Sequence, residues 1–174
     1  MAVSCRSTEG TGHDEIVKTS IDLANAYAEK GMFEQALETY DLALNQVKDY
    51  RLSYNRALCY AYMGDYEGAA SLMEEAKEIY PETDKFEEAE IKLWKKAGKI
   101  EKVEEIYLER LSIDENDTES RLSLAKLFSE NGEKPEAYEQ ALILWDQNVF
   151  EEDVVSILYE YDNETWKNVM SMFN

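Results

Sequence analysis

One histidine, His13, and two cysteines, Cys5 and Cys59, are all that 174 residues offer toward imidazole or thiol chemistry. A general base or a catalytic triad needs an imidazole held against partners. His13 stands in an N-terminal stretch without an apolar pattern, where it reads as a solvated side chain. Adjacent carboxylates recur, as in FEED (150–153) and MEEAKE (73–78), but 38 acidic residues make such pairs unavoidable, and solvated helix faces account for them. No Cys/His set has zinc spacing, and the glycines are too dispersed to cradle a phosphate. The sequence therefore assigns no catalytic, metal-binding or cofactor-binding residue, and the chain is expected not to be an enzyme. Cys59 falls inside a helical pattern and is expected to be a small packed residue, since a reactive thiol needs an electropositive setting.

The elements that position the remaining residues are helical. Two prolines and seven glycines favour helices over a turn-rich β architecture, and 44% hydrophobic with 32% charged residues suits a globular chain. No apolar run approaches the ~18 residues a membrane span needs. The opening MAVSCRSTEGTGHDEI has no apolar h-region and is not read as a signal peptide. Residues 1–13 are read as a flexible tail. Two cysteines are too few for a disulfide framework and fit a reducing compartment. A net charge of −20 repels phosphate backbones, so neither direct nucleic-acid binding nor a membrane contact is expected.

A repeat organises the chain. Glycines at 31, 64, 98 and 132 are spaced 33, 34 and 34 residues apart, each between two amphipathic patterns: AYAEKGMFEQAL, CYAYMGDYEGAA, LWKKAGKIEKVE and KLFSENGEKPEA. Four residues before each glycine stands an aromatic (Tyr27, Tyr60, Trp94, Phe128). Seven before stands Ala24, Ala57, Ile91 or Ala125, and five after comes Ala36, Ala69, Val103 or Ala137. Small residues at these points let two helices approach closely while a ring fills the neighbouring gap. Tyr27, Tyr60 and Trp94 are accordingly given to packing. In the later copies Ile91, Val103 and Arg110 replace smaller residues and Lys134 stands where Phe33 and Tyr66 stood, so local distortion is expected there. Beyond residue 147 the period is lost. Val154, Leu158 and Tyr161 share one helical face, and Trp166, Met170 and Phe173 another.

This framework resembles the tetratricopeptide repeat (TPR). The resemblance implies an all-α, right-handed superhelix (an α-solenoid) of about four helix-turn-helix repeats at 17–49, 50–83, 84–117 and 118–147. Within residues 14–147 these form the array, and 148–174 add C-terminal capping helices or a partial further repeat. In such arrays the first helices line a concave groove, here through Lys18, Ile21, Asn25, Ala28; Arg51, Tyr54, Leu58, Ala61; Lys85, Glu88, Lys92, Lys95; and Glu119, Leu122, Lys126, Ser129. Six of these are basic and two acidic in a chain of −20. The expected partner-binding residues are Lys18, Asn25, Arg51, Tyr54, Asn55, Leu58, Lys85, Lys92, Lys95, Leu122 and Lys126. Their expected partner is a protein, through an extended or helical segment carrying acidic residues.

Two narrower resemblances stand beside this one. The stretch YNRALCYAYMGDY looks like the second repeat of TPR cochaperones that clamp the acidic C-terminal tails of heat-shock chaperones. Asn25, Asn55 and Lys85 match three of the five clamp positions, whereas Ile21 and Ala89 stand where cations belong. That resemblance implies a cytoplasmic adaptor. The order ANAYAEKGMFEQA, ALCYAYMGDYEGA and DTESRLSLAKLFSENGE is similar to the large TPR subunit of TFIIIC, the general transcription factor of RNA polymerase III, with Arg121 to Ala125 matching its closing repeat. The chain departs from that family by an extra repeat and by its shortness. The likeness implies a nuclear scaffold of a multiprotein transcription complex, and this is the preferred expectation.

Overall fold

The computed structural model describes residues 8–161, which form nine helices and no strand. These are α1 (Thr8–Glu29), α2 (Phe33–Leu44), α3 (Tyr50–Tyr62), α4 (Tyr66–Ile79), α5 (Lys85–Ala97), α6 (Ile100–Ile113), α7 (Thr118–Asn131), α8 (Lys134–Asp146) and α9 (Glu152–Tyr161). No described helix is long and apolar enough to cross a membrane. The chain divides into two compact units, one ending at Lys99 and one beginning at Ile100. The division falls inside the third sequence repeat.

The four spaced glycines all adopt left-handed backbone, with φ of 74° at Gly31, 86° at Gly64, 72° at Gly98 and 82° at Gly132. Each turn closes by the same pair of hydrogen bonds. The glycine N–H donates to the carbonyl three residues back (Ala28, Ala61, Lys95, Ser129). The next N–H donates to the carbonyl of the aromatic: Met32 to Tyr27, Asp65 to Tyr60, Lys99 to Trp94 and Glu133 to Phe128. This is a Schellman closure, which satisfies the orphan carbonyls of a helix end and needs φ > 0 at one residue. Aspartates start several of the helices: the side chains of Asp49, Asp65 and Asp117 accept from the backbone N–H of Arg51, Gly68 and Ser120. Tyr80 ends α4 just before Pro81, and Pro135 occupies the first turn of α8, where a missing N–H costs nothing.

In the first unit Ala24, Ala36, Ala57 and Ala69 are fully buried, as are Val17, Leu52 and Met73. Alanine at the crossings allows close helix approach, and each large aliphatic residue buried there contributes about 2 kcal/mol. Phe86 of α5 sits between Tyr54 and Tyr80, with ring centroids 6.0 Å from each. Trp94 is buried as expected, whereas Tyr27 and Tyr60 are only half-buried, each offering its backbone carbonyl to the turn. Between α4 and α5 lies a buried carboxylate: Glu90 accepts from Lys77 Nζ at 3.1 Å and from Trp94 Nε1 at 3.2 Å. Burial pushes its pKa up, against the pull of Lys77 and Trp94.

In the second unit Ala125 and Ala137 again mark the crossing, with Leu124, Leu127, Ala141 and Leu144 around them. Arg121 is almost wholly buried and donates to the Glu115 carbonyl at 2.6 Å and to Gln140 Oε1 at 2.9 Å, so it serves the fold. Helix α9 packs on α7 and α8 through Val154, Ile157 and Leu158. Tyr161, the last residue of α9 and seven residues beyond Val154, stacks on Tyr138 of α8 at 4.5 Å and stays 46% exposed.

One boundary needs correction. Residues 8–13, assigned from sequence to a flexible tail, are the first turns of α1. Few apolar residues mark this stretch; it is fastened by charge, with His13 Nε2 3.0 Å from Asp49 and Asp14 accepting from Arg51 at 2.7 Å. Those partners lie 36 and 37 residues away, beyond the reach of a periodicity argument. Residues 1–7 and 162–174, including Trp166, Met170 and Phe173, lie outside the described residues.

Gly64→Ala forces a Cβ into left-handed backbone and should cost about 1 kcal/mol. Gly12, inside α1 with open space around its Cα, should instead gain a few tenths of a kcal/mol or more on change to alanine. Urea unfolding followed by helical circular dichroism checks both, with opposite shifts of the midpoint expected.

Candidate functional site

Helix α3 is the middle of the first unit's open face. Tyr54, Leu58 and Tyr62 follow one another at four-residue spacing and so project in one row. On one side of the row a cavity of about 450 Å³ is lined by Asn25, Ala28 and Glu29 of α1, Phe33 and Tyr40 of α2, and Asn55, Leu58, Cys59 and Tyr62 of α3. On the other side a cavity of about 380 Å³ lies between Tyr54, Leu58, Ala61 and Tyr62 of α3 and Lys85, Glu88, Ala89, Lys92, Leu93 and Lys96 of α5, with Tyr66 at its edge. Leu58 and Tyr62 belong to both, so the two cavities form one groove across α1, α3 and α5. Tyr62 is 73% exposed, an unusual setting for so large a ring.

The charge along the groove is uneven. At α5 three ammonium groups face one carboxylate; at α1 the only charged lining residue is Glu29. Lys92 is loosely paired with Glu88 at 3.9 Å, with both side chains largely in water, a pairing worth little. Lys85 lies 5.8 Å from the ring centre of Tyr50 and Lys96 5.4 Å from that of Tyr66. Such cation–π contacts aim an ammonium group without neutralising it.

Of the residues expected from sequence, Asn25, Tyr54, Asn55, Leu58, Lys85 and Lys92 line this groove. Arg51 does not. Its guanidinium donates to Asp49 at 2.9 and 2.8 Å and to Asp14 at 2.7 Å. The cation is spent on holding the starts of α1 and α3 together. The Arg51 hydrogen bonds, helped by His13, hold the Asp49 carboxyl down at about 2, against the effect of its burial. Lys18 and Lys95 are exposed and line neither cavity. Leu122 and Lys126 belong to the second unit, where Lys126 is ion-paired with Asp153 of α9. That pairing raises the lysine pKa and takes up its charge.

Sequence reasoning left Glu29, Tyr62 and Lys96 out of the site. All three stand thirteenth in their repeats, four residues beyond Asn25, Leu58 and Lys92, so one more helical turn along the same stripe reaches them. The amides are also partly committed. Tyr40 O–H donates to Asn25 Oδ1 at 2.9 Å, and burial pushes the Tyr40 pKa up to about 12. Asn55 Nδ2 donates to the Arg51 carbonyl at 2.7 Å. Cys59 is buried, and that burial pushes its thiol pKa up, away from reactivity. Among the described residues no group of three or more His, Cys, Asp or Glu is placed to hold a metal ion.

Tetratricopeptide-repeat family models match residues 20–53 and residues 50–83. Residues 20–83 are tetratricopeptide repeats. Solved structures with a similar fold include a MamA RS-1 ArsTM double mutant, 13% identical over 82% of this chain and 75% of that one, with a TM-score of 0.54. MamA 41-end from Desulfovibrio magneticus RS-1 is 12% identical over the same shares, with a TM-score of 0.53. MamA AMB-1 is 14% identical over 87% of this chain and 84% of that one, also at 0.53. At these identities the likeness is one of fold. No curated protein matches the chain by sequence.

Asp49→Asn keeps a capping oxygen but removes the charge that Arg51 and His13 hold. A carboxyl whose folded pKa is depressed stabilises the fold above its unfolded value, near 3.8, and loses that contribution as pH falls toward about 2. The wild-type chain should therefore exceed the variant in stability by about 1–2 kcal/mol at pH 6. Urea titrations at pH 6, 4 and 3 should show the gap narrowing as the pH drops; a gap independent of pH would count against the ion pair.

Proposed function

We propose that this TPR protein is a non-catalytic interaction scaffold, a subunit of a multiprotein complex that holds an acidic segment of a partner in the groove of its first unit. One observation carries the reading: an open, aromatic-lined groove presents Lys85, Lys92 and Lys96 to solvent in a chain of net charge −20. Against that background a concentration of cations selects oppositely charged partners and steers their approach. TPR arrays present such surfaces to proteins. The same overall charge disfavours nucleic acid as the direct ligand.

Within this reading the partner set to try first is the RNA polymerase III machinery, in the nucleus. The motif order from ANAYAEKGMFEQA to DTESRLSLAKLFSENGE supports that choice. The chaperone-tail alternative has less support. Of its clamp positions, Asn25, Asn55 and Lys85 line the groove, but Ile21 and Ala89 supply no cations and the nearby Arg51 is engaged elsewhere.

The test is affinity capture from whole-cell extract with mass-spectrometric readout, wild type beside Lys85→Glu/Lys92→Glu. Polymerase III factor subunits should be retained by the wild type and depleted about tenfold or more on the variant. Chaperones retained instead would move the protein to the cochaperone class. Partners held equally by both proteins would place binding away from the groove.

A further inference from the structure

The groove has two unlike ends, and the difference says what kind of segment it takes. We infer that the first unit recognises an internal stretch of a partner chain, with an aromatic or large aliphatic side chain seated beside Tyr62 and a pair of carboxylates two residues apart over α5. Its α1 end is not built for a chain's C-terminal carboxylate. The inference rests on the groove reading above and narrows it.

The acidic pair follows from spacing. Lys92 and Lys96 lie on one face of α5, one turn apart, about 6 Å along its axis. Carboxylates at alternate positions of an extended strand stand about 6.6 Å apart on the same side, which matches where the segment, after crossing α3, runs along α5. Lys96 is steadied by Tyr66, and the only carboxylate lining this cavity, Glu88, is a weak competitor at 3.9 Å from Lys92. The apolar anchor follows from Tyr62. With Leu58 it forms the wall common to both cavities, and an exposed tyrosine over an apolar floor is the sort of residue that dominates binding energy.

The α1 end offers amide groups in place of cations. Asn25 uses its Oδ1 on Tyr40, leaving Nδ2–H groups to donate; Asn55 uses its Nδ2 on the Arg51 carbonyl, leaving Oδ1 to accept. One donor and one acceptor suit the C=O and N–H of a passing main chain. A terminal carboxylate wants only donors, preferably charged, and here it would meet Glu29. The occupant therefore continues past this end.

The test uses the full chain and two random twelve-residue phage libraries. In the first, each peptide is fused to the coat protein through its C-terminus; in the second, the C-terminus is free. Selection against wild type, with Lys92→Glu/Lys96→Glu as counter-target, should enrich from the first library sequences with an aromatic or Leu and an acidic pair of the form Asp/Glu-x-Asp/Glu. A synthetic, C-terminally amidated peptide of that consensus should lose about tenfold in affinity on Tyr62→Ala and on Lys92→Glu/Lys96→Glu. It should be unaffected by Lys134→Glu, and circular dichroism should report all variants folded. Enrichment from the free-end library alone, a consensus without the acidic pair, or no enrichment would each overturn the inference. Such a failure would leave the scaffold reading intact if captured partners still depended on Lys85 and Lys92. If captured partners also ignored the charge reversal, both would fall.

Discussion

A left-handed residue after each first helix, satisfied by the carbonyl of an aromatic one turn earlier, is the constraint on which the rest of this protein depends. The chain must reverse within two or three residues for the second helix to lie against the first. Only glycine enters that backbone region without steric cost. Once the reversal is made at Gly31, Gly64 and Gly132, residues seven before and five after the glycine lie at the crossing of the two helices, and their size sets how closely the helices can lie. Alanine at Ala24/Ala36, Ala57/Ala69 and Ala125/Ala137 brings them near, every one of these side chains being buried. The aromatic thus has two tasks, and for Tyr27 and Tyr60 the backbone task is the stricter. Their rings are only half-buried while their carbonyls are committed.

This geometry also decides where the groove can be. In the first unit α2 and α4 bury their alanines against α1 and α3, which are left with one face to offer. On α3 that face is Tyr54, Leu58 and Tyr62, and on α5 it is Lys85, Lys92 and Lys96. Apart from Tyr54, which packs on the buried Phe86, these residues are not needed to close the core, so their chemistry costs the fold little. Arg51 shows the opposite case. It stands at an equivalent repeat position to Lys18 and Lys85, yet two aspartates draw it into the joint between α1 and α3.

Much of the fold was legible because glycine spacing and alanine placement report a local steric requirement that no other residue meets as well. The lining of the groove was legible in part. Repeat position located Asn25, Tyr54, Leu58, Lys85 and Lys92, since a helix converts spacing directly into facing. What could not be read were long-range choices between acceptors. Arg51 with Asp14 and Asp49, and Lys126 with Asp153, are settled by which carboxylates the fold happens to bring near. The turns of α1 before Asp14 were missed for the same reason: charge holds them, and charge has no period. Glu29, Tyr62 and Lys96 were missed because the facing stripe was cut off one position short.

The buried Glu90 fixes a rotation. A helix packed only by apolar side chains has near-equivalent settings about its own axis, since one aliphatic residue substitutes tolerably for its neighbour. Each residue step corresponds to about 100°. Glu90 has no such freedom: turned one step either way it would lose Lys77 or meet apolar surface, and an unpaired buried carboxylate is far costlier than a misplaced leucine. Lysines 85, 92 and 96 ride on the opposite side of the same helix. An acidic residue hidden between α4 and α5 therefore acts as the keyway that indexes the basic face toward the groove, so that the aim of the positive charges is set by a negative one no partner ever touches.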